Sequence, residues 1–352
     1  MSFQSVFFIR TVLKPIFMSV ILPVKRAAAL LLLACLVQSP GCGFFPKTMA
    51  IKDIEGHFPK NTIISAQAGY AVSFDRMMAD LSLARIIYIG EQHTRRAHHD
   101  VQLQVIQALY ALFPDLVVGM EMFDRSYQEV LDQWSSDQLD EETFLKKTHW
   151  RANWKYDFGL YREILEFIRD NRIPLRALNI PFHIPPKIAV SGLEHLNPDE
   201  RKYLPEQIDT SDAEHRKFVE ETFRRHAGGS FEDFYMAQCV WEEAMAEAVA
   251  QAVDGRVMAV LVGNGHILKK FGVPNRAFRR TALPYRTVYP VQMDAGDVER
   301  SFADYLWITE RGSRPLHMHP AVSRLTDASA SAPPVEKSEN QPSNQLHLEN
   351  PQ

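Results

Sequence analysis

The sequence predicts an α/β protein, with a doubly wound, mainly parallel sheet flanked by helices and an additional helical insertion. Short apolar runs alternate along the chain with longer segments whose apolar residues recur at helical spacing. Strands that alternate with helices in this way favour a parallel sheet. The chain has 352 residues, of which 46% are hydrophobic and 23% charged, and this is enough to build one large core.

Four short apolar runs are the candidate strands of this sheet. They are residues 85–90, 116–121, 174–180 and 257–263. Segments with helical spacing lie between them, at residues 98–112, 127–134, 160–170 and about 212–253. Residues 286–293 and 302–309 are typical of two further strands, which we expect at an edge of the sheet.

The N-terminal segment has the pattern of an export signal. Lys25 and Arg26 precede an apolar run at 27–37, which is shorter than the roughly 20 apolar residues that a membrane span needs. We expect residues 1–42 to be a signal peptide with a lipobox-like end. Cys42 is the expected lipidated residue and Cys35 the alternative, while an ordinary signal peptide or an uncleaved anchor also fits the pattern.

The rest of the chain divides into one domain, at residues 50–315, and a tail. Residues 326–352 consist mainly of Ser, Pro, Asn, Gln and Glu, so we expect a disordered tail. A net charge of −4 gives no electrostatic reason to expect a nucleic-acid partner. Cys239 is the single cysteine of the domain, which excludes an internal disulfide framework.

Polar side chains follow each of the four candidate strands directly. They are Glu91 with His93, then Glu121, Asn179 and His266. Because the carboxyl ends of parallel strands lie on the same side of a sheet, and ligands bind in the crevice there, these side chains should meet. Gly90 and Gly263 should let the backbone leave the strands tightly.

Two carboxylates and two imidazoles permit several kinds of chemistry. They can act as general acid and base, hold a divalent metal, or hydrogen-bond the acid groups of a ligand. A single polar residue at a strand end is usually a turn former, and we favour that role for Asn179. We favour a functional role for Glu91 with His93, and His98 and His99 belong either to the site or to a solvated first helical turn.

A second group of residues is aromatic and comprises Trp150, Trp154, Tyr156, Phe158 and Tyr161. Clusters of this kind are usually core, and the alternative is the wall of a ligand site. Tyr156 and Tyr161 also carry hydroxyls that could ligate iron, as Tyr does in some haem proteins.

Several motifs, in this order, resemble one known family, the ChaN-like haem-binding lipoproteins. The family shares a superfamily with the erythromycin esterases and the TIKI metalloproteases, and the resemblance covers about residues 60–290. The matching motifs are Gly-Glu-Gln-His at 90–93 with His98 and His99, Glu-Met-Phe at 121–123, Trp154 with Tyr161, Ala-Leu-Asn-Ile-Pro at 177–181, Ala-Gln at 237–238 with Trp241, Met-Ala at 245–246, Gly-Asn-Gly-His at 263–266 and Gly-Val-Pro-Asn-Arg at 272–276.

The resemblance implies a lipoprotein of the bacterial cell envelope, anchored in the outer membrane and facing the periplasm or the cell surface. It implies haem binding in iron acquisition, with haems stacked across a homodimer. The iron ligand would be Tyr156 or Tyr161. The other expected contacts are His93, His98, His99, His266 and Arg276. Glu242 stands where the family usually has Asp after the Trp.

Two other functions compete with haem binding, which we rank first as a non-catalytic function. A hydrolase would use Glu91, His93, Glu121 and His266 to activate water, with or without a divalent metal. A scaffold at the membrane surface would use the same residues for fold stability alone.

Overall fold

The computed structural model describes residues 48–226 and 228–310. The expected signal peptide with Cys35 and Cys42 lies outside these residues, and so does the expected tail at 326–352. Ten strands are present in the described ranges. They are β1 (Thr48–Ile51), β2 (Ile54–Pro59), β3 (Ile63–Ser65), β4 (Tyr70–Val72), β5 (Ile86–Glu91), β6 (Val117–Asp124), β7 (Leu175–Asn179), β8 (Met258–Gly263), β9 (Tyr285–Gln292) and β10 (Tyr305–Thr309).

The helices of the described residues lie mostly between these strands. They are α1 (Phe74–Leu81), α2 (Arg96–Leu112), α3 (Gln128–Ser135), α4 (Glu141–Lys147), α5 (Trp150–Asn153), α6 (Arg162–Asp170), α7 (Ile184–Ser191), α8 (Pro198–Arg201), α9 (Ala213–His226), α10 (Phe231–Ala252) and α11 (Val273–Thr281). Among the described residues, none of the helices has both the length and the apolarity that crossing a bilayer requires.

The main sheet has eight strands in the order β4-β3-β10-β9-β5-β8-β6-β7. Six neighbouring strands, from β10 to β7, run parallel, and β3 and β4 continue the sheet in antiparallel fashion. Every residue of β5, β6 and β8 is buried, as expected for parallel strands that are covered on both faces. The predicted α/β class with a mainly parallel sheet is therefore confirmed.

Helices cover both faces of the sheet. One core packs α1, α2, α3 and α6 against it, with Trp134 and Leu165 among its buried residues. The other core packs α10 and α11 against the opposite face, around Met245 and Val260. The additional helical insertion comprises α7 to α9 and lies in the sequence between β7 and α10, the helix that leads into β8. The predicted helical region at 212–253 is interrupted, because Ser230 caps a new helix by accepting a hydrogen bond from the Asp233 amide.

The expected edge position of the last two strands is wrong. β9 lies between β10 and β5, and β10 lies between β3 and β9, so the edges of the sheet are β4 and β7. The sequence reading also missed β1 to β4. These strands are short, and exposed residues make up much of β2 and β4, so they lack the continuous apolar runs of the central strands.

Candidate functional site

Glu91 is the last residue of β5 and is 1% exposed. Four polar side chains surround its carboxylate. Its Oε1 accepts from the Tyr161 hydroxyl at 2.7 Å and lies 2.7 Å from His93 Nδ1. Its Oε2 accepts from Gln102 Nε2 at 2.8 Å and lies 3.4 Å from His99 Nδ1. The strand end is therefore anchored to α2 and to the segment before α6.

These neighbours keep Glu91 ionised. Burial alone would raise the pKa of Glu91, but the charge of His99 and the hydrogen bond from His93 hold it well below its usual range. Burial likewise opposes the charged form of His99, and the carboxylate of Glu91 raises the pKa of His99 in spite of it. Because an ionised carboxylate only accepts, His93 donates its Nδ1 proton to Glu91.

Glu121, in β6, forms the second acid–imidazole pair with His266. Glu121 Oε2 accepts from the Gly263 amide at 2.6 Å, and Oε1 lies 3.5 Å from His266 Nε2. His266 Nδ1 lies 3.4 Å from Glu242 Oε1 on its other side. Burial alone would lower the pKa of His266, but the charges of Glu121 and Glu242 raise it to about 10. The pKa of Glu121 is lowered, since His266 outweighs the effect of burial.

The two pairs meet at Gly263. A Cβ atom on this residue would lie 3.1 Å from His93 Cε1 and 3.6 Å from Glu121 Oε2. The structure thus brings together Glu91, His93, Glu121 and His266 at the carboxyl ends of β5, β6 and β8. Neither Gly263 nor Gly90 has a positive φ angle, so a tight turn is not the reason why glycine is needed at these positions. Glycine is needed because neighbouring side chains come close to the backbone, and a Cβ atom on Gly90 would collide with the side chain of Asn264.

A β-bulge in β6 lies beside Glu121. Met120 is opposite Ala177 and Asp124 is opposite Asn179, so four residues of β6 span two of β7. Asn179 bridges this irregularity, because its Nδ2 donates to the Glu121 carbonyl at 3.1 Å while its Oδ1 accepts from the Ile180 amide at 2.9 Å. Both ends of the Asn179 amide are therefore bound to backbone, and the bond to Glu121 joins two strands, so Asn179 does more than the turn former that we favoured.

A buried charge network continues from His266 into α10 and α11. Glu242 Oε2 lies 3.1 Å from His215 Nε2 and accepts from Arg276 Nε at 3.3 Å. Arg276 also binds Glu243 and donates to the Asp209 carbonyl at 2.9 Å. Burial opposes the charge on His215, but Glu242 raises the pKa of His215 to about 9. Burial also opposes the charge on Glu242, whose pKa is lowered mainly by His215.

Sequence reasoning missed most of this network. No motif in the sequence marks His215 as part of a site, yet it is 1% exposed. The available signal was the pair Glu242 and Glu243, two carboxylates between Val240 and Ala244 in an otherwise apolar stretch. Arg276, which we expected to contact a ligand, is 1% exposed, and its guanidinium is occupied by protein groups. The structure does not bring Arg276 to the surface next to His93.

The two histidines at the start of α2 are buried, so the solvated first turn is wrong. His98 Nδ1 accepts from the Gln92 amide at 2.9 Å, and burial lowers the pKa of His98 to about 3. His98 Nε2 has no hydrogen-bond partner among the described residues. His99 lies behind Glu91, where its Nε2 is 3.2 Å from the His93 carbonyl. Both residues support the backbone that carries His93.

The two candidate iron ligands differ in availability. Tyr161 is fully buried, and its hydroxyl donates to Glu91 while it accepts from Trp154 Nε1 at 3.1 Å. Tyr156 is half-buried, with its ring centroid 4.9 Å from that of His93 and 5.4 Å from that of Trp154. Its hydroxyl has no hydrogen-bond partner in the described part of the chain. Burial and the charges of Glu121 and Glu91 raise the pKa of Tyr156 to about 12.

The donor set does not suit a metal ion held by protein alone. Within residues 48–226 and 228–310, no three or more His, Cys, Asp or Glu side chains are grouped so that they could hold one. The imidazoles and carboxylates of the site are instead hydrogen-bonded to each other. The divalent metal considered for a hydrolase therefore has no support in this geometry.

Comparison with known proteins agrees with this fold. Residues 77–277 match the family described as haem-binding uptake, Tiki superfamily, ChaN. The solved structure described as cofacial haem binding to ChaN of Campylobacter jejuni superposes with a TM-score of 0.57 at 17% identity, and the match covers 70% of this chain and 95% of that one. At this identity the likeness shows the fold alone.

Two further proteins show similarity to this chain. A solved erythromycin esterase in its open conformation matches with a TM-score of 0.40 at 14% identity, over 66% of this chain and 76% of that one. The chloroplastic protein RETICULATA-RELATED 5 of Arabidopsis thaliana is 25% identical over 265 residues, which are 66% of this chain. The chain spans only 35% of the length of that curated relative. The family match extends over more than half of the sequence, and on that ground the chain belongs to the ChaN-like haem-binding uptake family of the Tiki superfamily.

Proposed function

We propose that this chain binds haem on the surface formed by Tyr156, His93 and Trp154, and that Tyr156 ligates the iron. The observation that carries the proposal is the free hydroxyl of Tyr156, which lies beside the His93 ring at the mouth of the site. Tyr161 is the weaker candidate, because its hydroxyl is already bound to Glu91 and Trp154.

The residues present fit such a ligand. Trp154 packs against Phe182, with ring centroids 5.8 Å apart, and the two rings give an apolar neighbour for a porphyrin. Haem would supply an iron with an open coordination position, and tyrosine is a known protein ligand of haem iron. The family description and the haem-binding relative from Campylobacter jejuni support the same ligand.

A hemin titration of the mature protein tests the proposal. We expect a Soret band distinct from that of free hemin, and we expect Tyr156→Phe to shift it and to weaken binding at least about tenfold, which corresponds to about 1.4 kcal/mol. Tyr161→Phe is the matched control, with the same atom removed five positions along the chain, and should keep the spectrum. A free-hemin spectrum at stoichiometric wild-type protein would refute haem binding.

The cellular setting is a further part of the proposal. We infer an exported lipoprotein of the outer membrane that takes part in haem or iron acquisition, with Cys42 lipidated and with a homodimer as the haem-bound form. Mass spectrometry of the mature N-terminus checks the anchor, and Cys42→Ser should abolish lipid attachment whereas Cys35→Ser should not. Sedimentation with and without hemin checks the dimer.

Hydrolysis is a second candidate, and the arrangement of His93 favours it. The hydrogen bond between Nδ1 and Glu91 fixes the His93 ring and directs Nε2, the nitrogen that would act as general base, toward Gly263. The test is turnover of ester and peptide substrates by haem-free protein. His93→Ala should abolish any such activity, and activity that survives this substitution would exclude the mechanism.

A further inference from the structure

The two edges of the main sheet differ in how their backbone groups are covered. At β7, the Gln128 side chain donates to the Leu175 carbonyl at 2.8 Å and accepts from the Ala177 amide at 2.9 Å. Ser135 Oγ accepts from the Leu175 amide at 3.2 Å. Side chains of α3 thereby occupy the hydrogen-bonding groups that an additional strand would need.

The opposite edge, β4, has no such cover among the described residues. β4 pairs with β3 on one side, and no hydrogen bond joins a described side chain to the backbone of residues 70–72. Its sequence Tyr-Ala-Val contains neither the Lys nor the Pro with which natural edge strands discourage pairing. The Tyr70 side chain is 61% exposed. β4 is therefore open to pairing with another strand.

A cleft of about 440 Å³ lies beside this edge. One wall is the β4 face that carries Tyr70 and Val72, and the other is the outer face of α1. The α1 residues of the cleft follow helical spacing and are Arg76, Ala79, Asp80 and Leu83, the last directly after the helix. Leu83 is 73% exposed, so both walls offer apolar surface at the mouth.

The charge of the cleft is unbalanced. Asp80 is bound by Arg286, with Nε and Nη2 at 2.8 and 3.0 Å, and by the Tyr305 hydroxyl at 2.9 Å. The hydrogen bond from Arg286 lowers the pKa of Asp80, so this carboxylate stays ionised and occupied. Arg76 is exposed and forms no ion pair with a described residue. The cleft thus presents an exposed guanidinium next to apolar surface, and the carboxylate that also lines the cleft, Asp80, is already bound by Arg286.

We propose that the β4 edge binds an extended acidic segment of another polypeptide, which adds a strand to the sheet beside β4. Such a strand lies about 4.8 Å from its neighbour, and its alternate side chains project to one face. On this face they would lie over the cleft, with an acidic side chain against Arg76 and apolar side chains against Tyr70 and Leu83. The surface is independent of the proposed haem site.

Fluorescence anisotropy of the full chain with a labelled peptide, Thr-Glu-Thr-Val-Thr-Glu-Thr-Val, tests the proposal, because its Glu and Val side chains project to the same face of a strand. We expect saturable binding that Arg76→Glu weakens at least about tenfold, since it places like charges together. A twin peptide with Lys in place of Glu should show the reverse preference and bind Arg76→Glu better than wild type. A twin with Pro in place of the central Val should not bind, because it cannot complete the strand ladder.

Arg151→Glu, at an exposed position of α5, is the matched control for net charge and should bind like wild type. Three results would overturn the proposal: no saturable binding of the Glu peptide, an equal loss with Arg151→Glu, or no response to the charge exchange. Hydrogen exchange provides a separate check. Protection, in the protein alone, of those β4 amides that point away from β3 would instead assign this edge to a segment of the same chain or to a second copy, which sedimentation would distinguish.

Discussion

The two halves of the candidate site use the same chemistry in different surroundings. The Glu91 half comprises Glu91, His93, His99 and Tyr161, and it reaches the surface at His93, whose side chain is 18% exposed. The Glu242 half comprises Glu242, His266, His215 and Arg276, and none of these side chains is more than 4% exposed. In both halves, carboxylates form ion pairs or hydrogen bonds with imidazoles. The open half can meet a ligand, whereas the closed half positions the backbone and His266.

The largest effect should come from breaking the closed half. Arg276→Met keeps the volume but removes the buried guanidinium that both Glu242 and Glu243 bind, and removing one partner of a buried ion pair costs about 3–5 kcal/mol. We expect a loss of this size in the free energy of unfolding, measured by urea denaturation. Arg151→Met, at an exposed position, should change it by less than about 0.5 kcal/mol. A loss below about 1 kcal/mol for Arg276→Met would mean that the network does not stabilise this half.

The second effect is a fall in stability at alkaline pH. The pKa values of His215 and His266 are raised to about 9 and about 10 by Glu242 and Glu121, against burial. The stability gained from their protonated forms is complete below the unfolded value of about 6.5 and is lost as the pH rises through the folded values. Between pH 7 and pH 10 the free energy of unfolding should fall by several kcal/mol, since each group contributes about 1.4 kcal/mol per pH unit below its folded pKa.

The variant His215→Gln sharpens this test, because it removes one of the two titrating groups. Its stability should depend less on pH between 7 and 9 than that of the wild type. Urea denaturation over a pH series measures both slopes. Parallel slopes for the two proteins would show that His215 does not titrate as the structure indicates.

The smallest effects concern the two tyrosines of the open half. Tyr161→Phe removes the donor to a buried carboxylate and the acceptor of the Trp154 N–H, so we expect a loss of about 1.5 kcal/mol, the lower end for hydrogen bonds to charged groups. Tyr156→Phe removes no hydrogen bond within the described residues and should change stability by less than about 0.5 kcal/mol. Thermal and urea unfolding measure both. Equal losses would contradict the free hydroxyl of Tyr156.

Much of the fold followed from the sequence, because the central parallel strands are continuous apolar runs. The same runs placed Glu91, Glu121 and His266 at strand ends, and the parallel arrangement brought them to one edge. Strands such as β4 escaped this reasoning, since its Tyr-Ala-Val sequence is exposed and too short to show a period. The positions of β9 and β10 depend on strand order, which local patterns do not encode.

The finer structure of the site could not be derived in this way. The buried state of His215 depends on Glu242, which lies 27 positions away along the chain in another helix. The distinction between Tyr156 and Tyr161 depends on a hydrogen bond from Tyr161 to Glu91, 70 positions away. Both residues of each pair are visible in the sequence, but their pairing is set by packing between distant elements.

The missing side chain of Gly263 sets the width of the gap between the open and closed halves. The His93 ring lies so close to Gly263 that the methyl group of an alanine there would be 3.1 Å from His93 Cε1. Replacing Gly263 by alanine would therefore push the imidazole outward by tenths of an ångström. Neither carboxylate would have to change. The size of the ligand that the site admits thus depends on one residue whose side chain is a single hydrogen atom.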